Sequence, residues 1–157
     1  MAAAALTIAV SAEDPAGADA LALVAELSAV LAAITGDGGQ ASFDVDDVRG
    51  PRACFAVARD AHGRALGCGA LRPMADDTGE LKRMFARPGT RGVGAALLRF
   101  LEGEAARHGY RALRLSTRLV NTHAVGFYER HGYRRIPGYG RYAGSAVSVC
   151  FEKALTA

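Results

Sequence analysis

The chain has no tryptophan, and its aromatic residues make up only 7% of 157 positions. Cysteine is scarce too. The three thiols, Cys54, Cys68 and Cys150, are odd in number and sit in separate apolar runs without C-x-x-C spacing. That pattern argues against a disulfide framework or a thiolate metal cluster, and for reduced, buried side chains. No paired His, Cys or Asp spacing suggests any other metal site. No apolar run approaches the roughly 20 residues of a membrane span. Residues 1–5 lack the basic flank and apolar stretch of a secretory leader. A cytoplasmic protein that meets no membrane is the expectation.

Charge of one sign is not concentrated either. Nineteen Lys and Arg against 16 Asp and Glu leave a net charge of +3, with no basic tail. Nucleic-acid binders gather basic residues on one face or stripe, so no nucleic-acid partner is expected. Acidic residues do thin out after Glu80 while Arg83, Arg87, Arg91, Arg99 and Arg107 accumulate. The resulting positive field suits a small polyanion, or merely keeps the chain in solution.

What is present is a core. Half of the residues are apolar, and the length fits one domain of roughly 100–150 residues, here taken as residues 3–157. The pattern predicts a strand over 6–10 and a helix over 18–34, with Leu21, Val24, Leu27 and Leu31 at helical spacing. An acidic loop follows over 42–50, with a turn of helix at 44–48. Two strands, 53–59 and 65–72, are joined by a tight turn ending in Gly63 and Arg64. A turn over 73–78 leads to a strand over 79–86. A helix over 94–108, stopped by Gly109, then precedes a strand over 110–116. Strand, helix, strand implies a parallel pair with a right-handed crossover. A helix capped by Asn121 runs to Glu129 and stops at Gly132; strands over 133–136 and 147–152 close the chain.

The junction Arg87-Pro88-Gly89-Thr90-Arg91-Gly92-Val93-Gly94 lies between a strand and an amphipathic helix. There, unpaired N–H groups and the helix dipole favour an anion, and glycines let phosphate oxygens approach. A packing turn would look the same. The segment matches neither the P-loop pattern nor the dinucleotide fingerprint.

Three stretches taken in order resolve this. Glu80-Leu-Lys-Arg-Met-Phe-Ala-Arg-Pro, then Arg-Gly-Val-Gly-Ala-Ala-Leu-Leu, then Asn121-Thr-His-Ala-Val-Gly-Phe-Tyr-Glu-Arg-His-Gly-Tyr133 closely resemble the GNAT N-acetyltransferase superfamily. The resemblance implies a single-domain α/β (α+β) fold, with a mixed, mostly antiparallel sheet of six to seven strands. A parallel pair would lie at its centre and helices on both faces. It implies an acyltransferase that moves the acetyl group of acetyl-CoA to a primary amine of a small molecule or peptide, with a homodimer among the assemblies open to it.

In that family the central parallel strands splay and the pantetheine arm lies between them. Backbone groups of Met84, Phe85 and Ala86 would then hold the arm. Arg87, Gly89, Thr90, Arg91, Gly92, Val93, Gly94 and Ala95 would receive the pyrophosphate. Asn121 would reach the arm or only cap its helix. Tyr128 would stand near the sulfur as a proton donor, since a phenol stays protonated at neutral pH; the alternative is a packing role beside Ala124 and Phe127. Glu80 falls where many members place the base that deprotonates the amine, or is a solvated strand-end residue. His108, His123 and His131 sit in helical contexts that suit surface or packing roles, and no Ser or Cys lies in a nucleophile elbow.

Two features depart from the family pattern. Aligned on Leu97-Leu98, the turn after Pro88 is two residues short, which removes N–H groups from the pyrophosphate site. The tail over 137–148 is long and rich in Gly and Tyr. Tyr139, Arg141 and Tyr142 on it are candidates to line the acceptor pocket, if it is not simply a solvent-exposed connection. Asp44, Asp46 and Asp47 form an acidic loop that is solvated or attracts a cationic amine. Two other readings remain: an acyl-CoA sensor that keeps the fold without turnover, and a nucleotide-phosphate binder.

Overall fold

The computed structural model describes residues 7–156; part of the expected first strand, and residues 3–6 and 157 of the expected domain, fall outside them. The chain order is β1 (Ala9–Ala12), α1 (Ala18–Thr35), β2 (Cys54–Arg59), β3 (Ala65–Ala75), β4 (Thr78–Ala86), α2 (Val93–Arg107), β5 (Ala112–Arg118), α3 (Thr122–Arg130), β6 (Arg134–Ile136) and β7 (Ser148–Ala154). The seven strands form one sheet, ordered β1-β2-β3-β4-β5-β7-β6. Every neighbouring pair is antiparallel except β4 and β5, which are parallel. This is the expected mixed sheet with its parallel pair at the centre.

Side chains alternate across a strand, so β2 feeds two cores. Phe55 and Val57 pack with Leu23 and Leu27 of α1. Cys54, Ala56 and Ala58 join the cluster built around Leu97, Leu98 and Leu101 of α2. Helices therefore cover both faces: α1 one, α2 and α3 the other. Each fully buried leucine contributes about 1.5–3 kcal/mol, and Leu23, Leu97, Leu101 and Leu113 are all at 0% exposure.

The differences from expectation have local causes. Strand β3 continues through Pro73 to Ala75, where a turn was expected to begin. Its ladder to β2 ends at Cys54↔Leu71 while that to β4 runs on past Pro73↔Gly79, so the proline sits on a strand paired on one side only, where a missing N–H is tolerated. The helix after the glycine turn begins one residue early, at Val93. Two short 3₁₀ turns, Gln40–Ser42 and Val45–Val48, follow α1, the second close to where one was expected. Contrary to expectation, α1 is long and apolar enough to cross a membrane by length and composition. In the fold it is a layer of the domain, with Ala20, Leu23, Leu27 and Ser28 buried beneath it. All three cysteines are free and buried, and burial pushes the Cys68 thiol up to about 12.

Candidate active site

Strands β4 and β5 stay in register for three pairs, Thr78↔Ala112, Gly79↔Leu113 and Glu80↔Arg114, and then part. β5 continues on its other edge against β7 as far as Arg118↔Ser148, and β4 continues against β3 as far as Gly67↔Ala86. The edges facing each other, from Leu81 and from Leu115 onward, are left without a ladder partner. A cleft of about 340 Å³ opens between them, lined by Leu81–Met84 of β4 and Leu115–Arg118 of β5. It passes through the sheet. Asn121, Ala124 and Tyr128 of the α3 region border it on one side, and Leu27, Leu31 and Asp37 of the α1 region on the other.

A bulge in β4 helps to open the cleft. Cys68 pairs with Phe85 and Ala70 with Lys82, so Gly69 alone faces both Arg83 and Met84. Arg83 accordingly takes φ 54, a conformation rare for a non-glycine residue. A Cβ at position 69 would stand 2.4 Å from the Met84 sulfur, so the bulge needs glycine opposite it.

At the start of α2, Gly92 takes φ 74 and no side chain caps the helix. The first amide bonded back is that of Ala96, to the Gly92 carbonyl at 3.0 Å. The N–H groups of Val93, Gly94 and Ala95 have no partner among the described residues. Unsatisfied amides at the positive end of a helix make an anion site. Arg91 beside them is exposed. Arg87 is not free for such a role. Its Nε and Nη2 bind Glu26 of α1, at 3.0 and 2.5 Å, and its Nη1 donates to the Ala65 carbonyl at 2.7 Å. Thr90 turns inward as well, its hydroxyl donating to the Arg87 carbonyl at 2.6 Å.

Tyr128 is 6% exposed. Phe127, Tyr133 and Phe151 pack around its ring, with centroids 5.2, 5.6 and 6.2 Å away. No described residue hydrogen-bonds its hydroxyl. Burial raises its pKa well above the ordinary phenol value, so it holds its proton. Asn121 caps α3, its Oδ1 accepting from the Ala124 amide at 3.4 Å, and lines the cleft at the same time.

Glu80 is not a solvated strand end: it is 1% exposed. Its Oε1 accepts from Arg72 Nε at 2.7 Å and its Oε2 from Tyr139 at 2.7 Å, with Lys82 Nζ 3.7 Å away. Lys82 in turn donates to the Tyr142 hydroxyl at 3.0 Å, and Arg141 donates to the Ala41 carbonyl at 3.1 Å. The tail that carries Tyr139, Arg141 and Tyr142 is thus pinned onto β4 and the loop after α1 through these three side chains, while most of its other residues stay exposed. It frames a second cavity of about 430 Å³, with Asp44, Asp47 and Arg72 on the opposite wall. Asp47 is held by Arg72 at 2.9 Å.

Sequence reasoning gave no site role to Lys82, Arg83, Asp37 or Arg118, which all line the cleft; Arg83 entered it only as part of the positive charge that gathers after Glu80. One signal was there. Adjacent Lys and Arg in the middle of a central strand place a cation toward each face, which an intact buried sheet would not accept.

A mixed sheet whose central parallel pair splays beside an uncapped helix tip defines an acyltransferase of the acetyl-transfer class. Residues 26–133 match the model of the Acetyltransferase (GNAT) family. The chain belongs to that family. It is 36% identical over 118 residues to the IAA acetyltransferase of Azospirillum brasilense, covering 71% of this chain and 74% of that one. Among solved structures, a Klebsiella pneumoniae protein described as an acyl-CoA N-acyltransferase superposes with a TM-score of 0.82 at 28% identity, over 95% of this chain and 98% of its own. A GNAT family acetyltransferase from Elizabethkingia anophelis with acetyl-CoA bound shares the fold at a TM-score of 0.69 and 15% identity, over 94% of this chain and 98% of that one.

Proposed function

We propose that this chain transfers the acetyl group of acetyl-CoA to a primary amine of a small molecule or peptide, by direct attack within a ternary complex. The observation that carries the reading is the parting of β4 from β5 after Glu80↔Arg114, which leaves two unpaired strand edges facing an open cleft. An extended amide-bearing arm can complete such edges as an added strand would.

The residues present fit the donor. Met84 lines the opening and Phe85 and Ala86 continue β4 from it, and the free amides of Val93, Gly94 and Ala95, with Gly89, Gly92 and Arg91 beside them, suit a pyrophosphate. Arg87 and Thr90 shape that turn from behind, because their side chains are engaged within the protein. Asn121 faces the arm while capping α3. Acetyl-CoA supplies an activated thioester. On transfer, the amine nitrogen forms the new bond to the acetyl carbon, the carbon–sulfur bond breaks and the thiolate takes a proton. Tyr128, a protonated phenol on the cleft wall whose hydroxyl has no hydrogen-bond partner among the described residues, is the donor of that proton. Glu80 is the acceptor of the amine proton. Because both of its oxygens are occupied, it acts through Tyr139 or once Tyr139 moves aside. Tyr139, Arg141 and Tyr142 wall the acceptor side. The free, buried thiols fit the reducing cytoplasm.

A second reading, an acyl-CoA-binding module without turnover, is favoured by the same enclosure of Glu80. Titration with acetyl-CoA in a calorimeter, followed by thiol release across a panel of amines, separates the two. Binding with amine-dependent release of one thiol per acetyl transferred is expected. Binding without release would leave only the module, and no binding would end both readings.

A further inference from the structure

The α1 side of the cleft carries an imbalance of charge that donor binding does not use. Arg83 is 8% exposed, and its guanidinium reaches only neutral oxygens, the Gly38 carbonyl at 3.0 Å and the Ser28 hydroxyl at 2.8 Å. Its Nε is buried without a partner, and no carboxylate lies within salt-bridge distance of it among the described residues. Arg141, across the cleft mouth, likewise donates only to a carbonyl, that of Ala41. The two other cations on the cleft wall are matched: Lys82 by Glu80 at 3.7 Å and Arg118 by Asp37 at 3.5 Å. Asp37 is the single acid among the described residues lining this cleft.

A buried guanidinium without a counter-charge is costly, and proteins keep one where a ligand anion completes it. Burial pulls the Arg83 pKa below the ordinary arginine value, and the Asp37 carboxylate, which lies beyond ion-pair distance, opposes that only in part. These cations are not placed for the donor's pyrophosphate. Ser28 and Gly38, which hold Arg83, belong to α1 and the loop after it, whereas the free amides of α2 lie on the other face of the sheet.

Resting on the acetyltransferase reading, we propose that the acceptor is a small amine that also carries a carboxylate, received by Arg83 and Arg141 on the α1 side of the cleft. A guanidinium binds a planar carboxylate through paired N–H donors. The carboxylate end is thereby fixed, and the amine end of the same molecule is turned toward the middle of the cleft. A cleft of about 340 Å³ shared with the pantetheine arm leaves room for an amino acid or a molecule of similar size.

The test compares free amino acids with their carboxamides as acceptors of the unmodified protein, with thiol release as readout and short peptides as a third arm. The acids are expected to show kcat/KM roughly 10-fold or more above the amides, the size of one charge-assisted contact. Arg141→Gln, at an exposed position, should bring that ratio toward one and raise KM for the acid while leaving KM for acetyl-CoA unchanged. Arg83→Gln should do the same, with Arg83→Lys restoring part of the preference. If Arg83 variants fail to fold, the native comparison and Arg141→Gln still decide. Amides or peptides turned over as well as the acids would overturn the carboxylate proposal and leave the acetyltransferase reading standing. A rise in KM for acetyl-CoA alone in Arg141→Gln would assign the cations to the donor and overturn it too. No turnover with any amine would remove both.

Discussion

Between Thr78 and Glu80, β4 is laddered to β5, and the polar groups beside the pair are bound to one another: Arg72, Lys82 and Tyr139 converge on a single buried carboxylate. From Leu81 onward the same two strands face each other without a bond, and the tyrosine on the wall, Tyr128, has a hydroxyl that no described residue receives. The closed end spends its polar groups on itself, so its side chains are integral to the stability of the domain. The open end holds its polar groups in reserve, with rings packed and hydroxyl or amides left over, which is how a preorganised site is built. The difference teaches that burial alone does not tell a residue already engaged within the fold from one left open to a ligand. Glu80 and Tyr128 are both buried, and what separates them is whether their hydrogen bonds are already made.

Substitutions at the two ends should therefore fail in different ways. Glu80→Ala breaks the closed end and leaves Lys82 and Arg72 without their carboxylate. A loss of about 3 kcal/mol is expected, since removing one partner of a buried pair strands the others, and acetyl transfer should vanish with it; urea unfolding and turnover check both. Tyr128→Phe breaks the open end. A fall in kcat of about 10²-fold is expected for a lost proton donor, with stability unchanged within about 0.5 kcal/mol, because no protein hydrogen bond is removed. Equal loss of stability at both positions would erase the distinction.

Arg91→Ala sharpens the comparison within the open end. A weakening of acetyl-CoA binding by about 10-fold is expected, the size of one charge-assisted contact, with S-acetylpantetheine, which lacks the pyrophosphate, unaffected. Equal weakening of both would remove Arg91 from the phosphate site. The smallest effect belongs to a pair remote from either end. Glu13 binds Arg59 through both oxygens, at 2.9 and 2.7 Å, and that hydrogen bonding holds its pKa below the ordinary 4.5. A depressed folded pKa contributes stability that is complete above the unfolded value and is lost as pH falls through the folded one. Glu13→Gln should thus lower stability by under about 1 kcal/mol at neutral pH, a difference that closes below pH ~4, with turnover unchanged.

The order of elements and the parallel pair were legible in the sequence because they rest on local periodicity and punctuation. Leu97, Leu98 and Leu101 face the core as their spacing requires, and Asn121 caps its helix. Tyr128, which lines the cleft, was singled out through its place in a motif. What sequence could not carry was pairing across distance. Tyr139 reaches Glu80 from 59 residues away and Glu26 reaches Arg87 from 61, so an apparent strand-end acid became an enclosed one and an apparent phosphate ligand became a tether to α1. Arg83 at positive φ opposite Gly69 was equally hidden, since nothing in the local pattern marks a bulge in a strand of otherwise suitable residues. The apolar length of α1 was missed for a simpler reason: its alanines dilute the run, and most of the helix surface is left exposed by a sheet that needs only one narrow stripe of it.

The account turns on whether the open end of β4–β5 receives the donor. Hydrogen exchange on the protein with and without CoA reads this directly, amide by amide. Protection is expected to rise within Leu81–Ala86 and at Val93–Ala95, while Thr78–Glu80, already laddered, should not change. Unaltered exchange along Leu81–Ala86 under saturating CoA, or protection confined to surfaces away from the cleft, would contradict it.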